Sequence, residues 1–304
     1  MNNRGEGMEL NKKILTGGLI LIALTLTGSM FFIYYCRLSE PVFLQHYYEC
    51  QLPAYDTDNG ESMFALHYLT NRSDKKEVTG ITFKEAPELN FYATENNQRG
   101  GMIVWSSNAF QQKGMVYGRY SLRTVYVNMV YDSNTEKFDK SQLSHAVFEF
   151  SDGTQRNADI GKIIFYKQDH SDRYLDSRSG SSSSDGTSSV SFNVKSDLFL
   201  IKIDSPLMKE ANRLYQIKVD GIDSKAINGI QYNAGSNLNV TSNLKMPLNN
   251  IDQFSFVDIK PCIYFKTPEG NTDTVRLYNF EYNTMNQNFT WIQIYKYLAG
   301  KGKL

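Results

Sequence analysis

Cysteine and histidine are scarce in this sequence, at three and four residues, and neither type is spaced for chemistry. Cys36, Cys50 and Cys262 are too few for the disulfide framework of a small secreted scaffold. There is no Cys-x-x-Cys pair and no His-Glu-x-x-His, so the ligand spacings of a zinc site are missing. Excess charge is lacking too. Lys plus Arg equals Asp plus Glu at 32 each, and setting aside Arg4, Lys12 and Lys13 with Glu6 and Glu9 leaves 29 basic and 30 acidic residues. A chain so balanced has no net basic field for nucleic acid or anionic lipid. No Gly-x-Ser-x-Gly, Ser-x-x-Lys or Cys beside His stands in the strand-turn-helix setting that activates a nucleophile. No catalytic residue, cofactor or metal is expected, and the chain reads as a non-enzyme.

The absence with the largest consequence is local: from Ile14 to Tyr35 there is no Asp, Glu, Lys, Arg or His. As a helix rising about 1.5 Å per residue this run covers roughly 33 Å, enough to cross a hydrocarbon core of about 30 Å. Backbone amides in lipid must close their own hydrogen bonds, which a helix does. Arg4, Lys12 and Lys13 precede the run and only Arg37 follows closely, which by the positive-inside bias leaves the N-terminus in the cytoplasm. Tyr34 and Tyr35 sit where an interfacial aromatic belt falls. A cleavable signal peptide has a shorter apolar region ending in small residues. Thr27, Gly28 and Ser29 are small, yet the run continues through Met30 to Tyr35. A lipoprotein signal ending at Cys36 is disfavoured by the bulk of Ile33, Tyr34 and Tyr35. The expectation is a single-pass cell-membrane protein: residues 1–13 a cytoplasmic tail, residues 14–35 a transmembrane helix with the lipid bilayer as partner, and the bulk extracytoplasmic.

What is plentiful is aromatic mass. With 20 Tyr and 18 Phe in a chain 41% apolar, a sizeable core is available, and aromatics favour strands. Phe64, Leu66 and Tyr68 alternate with Ala65 and His67; Tyr215, Ile217 and Val219 alternate with Gln216 and Lys218. Ala146, Phe148 and Phe150 lead into Ser151-Asp152-Gly153-Thr154, where Asp-Gly suits a tight hairpin turn. Ile263 to Phe265 leads into Thr267-Pro268-Glu269-Gly270, a type I turn pattern. Along Met115 to Tyr131 the odd positions are polar at Arg119, Ser121 and Arg123 and apolar from Val125 onward. That pattern predicts a switch of buried face near Thr124, through a bulge or a change of sheet.

Residues 173–189 contain Ser177-Arg-Ser-Gly-Ser-Ser-Ser-Ser-Asp-Gly-Thr-Ser-Ser189, a composition that reads as flexible coil. It predicts a linker or loop between two β-domains, 40–172 and 190–304, with one large sandwich bearing a long loop as the alternative. Two short helices are expected. Ser205-Pro206 caps one lined by Leu207, Met208, Ala211 and Leu214. A docked terminal helix is spaced by Phe289, Ile292, Tyr295 and Leu298. The fold class is thus mainly β: a single N-terminal transmembrane helix, then one or two antiparallel β-sandwich-like domains with a short C-terminal helix.

Each remaining candidate has a plainer explanation. His67 and His145 fall on strand faces opposite the expected core and read as solvent-side residues. His46 and Glu49 share a face only on a helix, whereas their stretch looks extended, and His170 has no ligand spacing. The loops Asp56 to Glu61 and Asp169 to Asp172, reaching Asp176, are oxygen-rich enough for calcium, but Asp, Asn and Gly form turns for backbone reasons alone. A Cys50–Cys262 bridge joining the ends of the outer region is open in an oxidising compartment, with buried thiols the commoner outcome. Asn71, Asn239 and Asn288 begin sequons. The leading functional expectation is a binding or scaffolding module for a protein or cell-envelope polymer. The alternatives are an accessory subunit of a membrane complex, through Thr25 and Ser29 on the helix, and an extracytoplasmic hydrolase without a motif.

Overall fold

The computed structural model describes residues 3–52, 61–95, 114–130, 135–167, 173–183, 186–246, 248–278, 280–282 and 289–304. The apolar run lies in α1 (Asn3–Tyr35). Its segment Ile14–Tyr35 is long and apolar enough to cross a membrane, and none of it is buried against the rest of the chain.

Beyond it the described residues form four sheets, with strands numbered along the sequence. The first sheet runs β1 (Val42–Phe43), β3 (Glu61–Asn71), β7 (Tyr120–Val130), β5 (Phe91–Thr94), with β6 (Met115–Tyr117) also on β7. The second is β20 (Phe280–Tyr282), β17 (Ser255–Ile259), β2 (Gln45–Gln51), β9 (Gln155–Tyr166), β8 (Gln142–Phe150), β4 (Val78–Phe83). The third is β10 (Leu175–Ser182), β11 (Thr187–Val194), β16 (Asn237–Leu244), β13 (Tyr215–Val219), β14 (Ile222–Asp223). The fourth is β15 (Ile230–Tyr232), β12 (Leu198–Asp204), β18 (Cys262–Lys266), β19 (Thr272–Arg276). Two further α-helices are described, α2 (Met208–Leu214) and α3 (Trp291–Gly300). The mainly-β class with an apolar N-terminal helix and a short C-terminal helix is as expected. Pairing is antiparallel except for β2, which runs parallel to both β17 and β9.

The predicted hairpin turns form. Gly153 N–H bonds Phe150 O at 2.8 Å between β8 and β9, and Gly270 N–H bonds Thr267 O at 2.9 Å between β18 and β19. The Ser-rich run is not a linker: β10 and β11 pair as a hairpin, and β11 pairs onward to β16. Composition misleads here because one strand carries the burial for both. Val190, Phe192 and Val194 enter the core, and Ser188 shares a buried hydroxyl bond with Ser242 at 2.8 Å. Small Ser side chains on β10 then need only remain in solvent.

Nor does the chain divide at that run into 40–172 and 190–304. One core lies between the first and second sheets, where Phe43 stacks on Phe148 and Phe64 meets Phe83, and it also takes Phe254, Phe256, Phe289, Ile294, Tyr297 and Leu298 from the C-terminal part. The other core gathers the third and fourth sheets and α2 against the opposite face of the second sheet. Alternation along β17 makes the sharing visible, since Phe256 points into the first core while Val257 and Ile259 point into the second. A strand covered on both faces suits the parallel setting of β2.

The expected face switch in β7 does not occur. Its register with β3 runs from Glu61↔Val130 to Asn71↔Tyr120 without a shift. The odd face stays inside because its polar residues are paired there. Arg123 bonds the carbonyls of Lys76 (2.6 Å) and Asp74 and lies 3.7 Å from Glu95, which also accepts from Tyr68 Oη at 2.6 Å. A charge buried with partners is tolerated where a lone one is not.

Helix α2 starts later than predicted. Leu207 is its N-cap, and Ser205 instead accepts from Leu207 N–H at 2.9 Å. In α3 the buried residues are Ile294, Tyr297 and Leu298, with Ile292 exposed, so the spacing of three identified only part of the docked face.

Candidate functional site

The junction between α1 and the β-body is built without slack. Cys36 follows the helix directly and is buried, its carbonyl accepting from Tyr120 Oη at 2.8 Å. Two residues on, buried Leu38 is clamped by Asn71, whose Oδ1 accepts from Leu38 N–H at 3.0 Å and whose Nδ2 donates to Leu38 O at 2.7 Å. Arg119, in the turn between β6 and β7, places its guanidinium over the Phe32 ring at 5.9 Å and bonds Phe32 O at 3.4 Å. Helix α3 is fixed beside this junction. Its capping box closes between Thr290 and Gln293. Trp291 meets Phe32 edge-on at 6.2 Å, and Lys303 pairs with Glu40 at 3.1 Å. A groove of about 690 Å³ lined by Thr25, Gly28, Ser29, Phe32, Ile33 and Arg119 opens where helix and body meet.

Two polar centres lie inside the body. His46 and His67 are both buried, correcting the expectation that His67 faces solvent. His46 Nε2 accepts from the His67 backbone N–H at 2.9 Å, which leaves Nδ1 as the donor to Ile160 O at 3.3 Å. His67 lies flat on Phe256, centroids 3.8 Å apart and planes 2° from parallel. Burial pushes the His67 pKa down to about 3; burial and the neighbouring His67 lower that of His46 as well. Both rings are neutral at ordinary pH. The close approach of β2 and β9 here needs Gly161, with φ +96°, because a Cβ would overlap the His46 backbone.

Glu49, on the other face of β2, accepts from Ser205 Oγ at 2.8 Å and from the Lys260 backbone N–H. Burial raises its pKa, opposed by those two bonds and by the cations Arg276 and Lys260. Arg276 stacks on Tyr166 at 3.9 Å and donates to Lys260 O at 3.0 Å. This centre ties the second sheet to the fourth. As expected of an extended stretch, His46 and Glu49 do not share a face.

His145 is exposed as expected and bonds Glu85 at 2.6 Å. The candidate calcium loops, at residues 56–60 and 169–172, lie outside the described residues together with His170 and Asn288. Cys36, Cys50 and Cys262 are all thiols, with no Cys50–Cys262 bridge. Among the described residues no group of His, Cys, Asp and Glu is arranged to hold a metal ion. Sequence reading missed both polar centres and the Trp291 contact. One signal was present: His67 sits in the unbroken run Phe64-Ala-Leu-His-Tyr-Leu69, which fits burial on both faces better than alternation does.

No family model matches the sequence, and no curated protein matches it. Among solved structures the chain is similar to the human desmocollin-1 ectodomain at 8% identity and TM-score 0.18, with 79% of this chain and 58% of that one covered. It is similar to the fibronectin(III)-like modules of CbhA from Clostridium thermocellum at 11% and 0.18, covering 79% and 92%. It is also similar to an alpha-L-rhamnosidase from Dictyoglumus thermophilum at 6% and 0.20, covering 81% and 29%. Scores this low carry no argument about what the chain does.

Proposed function

We propose that this chain is a single-pass membrane protein with its N-terminus in the cytoplasm, whose β-body acts on the outer side as a binding or scaffolding module for a protein or a cell-envelope polymer. The observation that carries the reading is the junction. A helix with no buried residue in its apolar run leads directly into a folded β-body through Cys36 and Leu38, so a lipid-compatible surface joins a water-compatible one without an intervening linker. The binding role is supported by β10, whose residues after Leu175 are all exposed and whose outer edge pairs with no described strand. An open edge accepts an added strand through main-chain bonds.

The groove beside α1 favours a second reading, an accessory subunit whose helix makes the contact. A photoreactive residue at Ser179 on β10 or at Ser29 on α1, activated in cells, separates the two. A discrete adduct from Ser179 supports the binding module. An adduct from Ser29 alone favours the subunit, and none from Ser179 or from Ile222 on the opposite edge of that sheet overturns the module.

A further inference from the structure

Helix α3 is apolar on two sides, yet among the described residues only one is covered. Ile294, Tyr297 and Leu298 enter the core, while Trp291 and Ile292 are 46% and 48% exposed and Tyr295 is half-buried beside Trp291. Exposed Trp291 and Ile292, with Tyr295 beside them, give this ten-residue helix a second apolar side able to take a cover. The structure indicates what that cover is. The exposed side is continuous with α1, because Trp291 packs on Phe32, which lies about one turn inside the C-terminal end of the apolar run. Cations stand nearby: Arg119 lies over Phe32, exposed Arg37 follows the run by two residues, and exposed Lys296 follows Tyr295 on α3, all side chains suited to phospholipid phosphates. Trp and Tyr rings beside Arg and Lys are the side chains that settle at the headgroup boundary.

We propose that Trp291, Ile292 and Tyr295 of α3 insert into the headgroup boundary of the bilayer that α1 crosses, with Arg119 at phosphate level, so that the β-body rests on the membrane surface. This inference rests on the anchor reading. It makes α3 an in-plane contact and α1 the crossing one, so that the body meets the bilayer at two places.

The test uses the full chain in vesicles of phosphatidylcholine brominated either near the glycerol end of the acyl chains or near their methyl ends. The sequence has two tryptophans, so subtracting the Trp291→Phe spectrum from the unsubstituted one isolates Trp291. The expected result is blue-shifted Trp291 emission, lost to shallow bromines, largely spared by deep ones, and protected from aqueous iodide. An environment-sensitive dye on Ile292→Cys, a second exposed position, reports the same depth independently. Quenching by iodide and not by bromolipid overturns the proposal, as does protection from both, which means that protein covers the helix. Leu24→Trp in the Trp291→Phe chain keeps the two readings apart. If its added emission is quenched by deep bromines while Trp291 is not quenched at all, the anchor stands and the seating fails. If Leu24→Trp is also unquenched, both fall.

Discussion

Asn71 holds both backbone polar groups of Leu38, donating to its carbonyl at 2.7 Å and accepting from its amide at 3.0 Å. One side chain thereby welds the strand β3 to the segment leaving α1. Replacing it by Ala strands a part-buried donor and acceptor, at a cost of about 1–3 kcal/mol. Asn71→Ala should lower the thermal midpoint of the full chain in detergent. Because Nδ2 of Asn71 is engaged, a glycan there would displace the clamp. Glycosylation of Asn71 is therefore expected to lower the thermal midpoint as Asn71→Ala does, with mass spectrometry of the peptide reporting the modification.

The folded body begins before Glu40. Leu38 is part of the first core, and Cys36 is buried beside Tyr120. A chain beginning at Cys36 should therefore be more stable to denaturant than one beginning at Glu40, by about 2–3 kcal/mol for the Leu38 side chain and its clamp. Equal midpoints would mean that the junction contributes nothing to the body.

Acid should loosen the body through its histidines. The His67 pKa falls from the ordinary 6.5 to about 3 on folding, and that of His46 falls as well. Between those values the unfolded chain holds protons that the folded one does not. For His67 the stability is fully present above pH about 6.5 and declines as pH drops towards 3, by about 1.4 kcal/mol per unit, and the lowered pKa of His46 acts in the same direction. His67→Phe preserves the stacking on Phe256 and removes one titrating group. Its unfolding midpoint should fall less steeply between pH 6 and pH 4 than that of the unsubstituted chain.

Protease resistance of 173–183 and 186–189 follows from the β10–β11 hairpin. Its strands are tied by the ladder to β16 and by the buried Ser188–Ser242 bond. Limited proteolysis should give no cut within β10 or β11 and no pair of separable halves. Two stable fragments of similar size that part on a sizing column would restore the linker.

The periodic parts of the fold were legible. Alternation located β13 and the β8–β9 hairpin, and the charge-free run located α1, because each signal is local. What stayed hidden depends on partners distant in sequence. Ser177 to Ser182 read as coil until β11 supplied the buried face, and Arg123 read as solvent-facing until Glu95 and the Asp74 and Lys76 carbonyls met it. Strict alternation turns His67 outward; the run Phe64 to Leu69 hints at burial on both faces, but the covering residue, Phe256, lies about 190 residues on. Trp291 carried no signal at all in isolation. Its meaning comes from Phe32.

The side of the membrane on which the body stands decides most directly between this account and its rivals. A membrane-impermeant thiol reagent, applied to intact cells carrying Ser182→Cys on β10 or Lys12→Cys before the apolar run, reads it out against the unsubstituted chain with its buried and half-buried thiols. The account predicts labelling of Ser182→Cys without lysis and of Lys12→Cys only after lysis. Labelling of Lys12→Cys in intact cells, with Ser182→Cys protected until lysis, would contradict it.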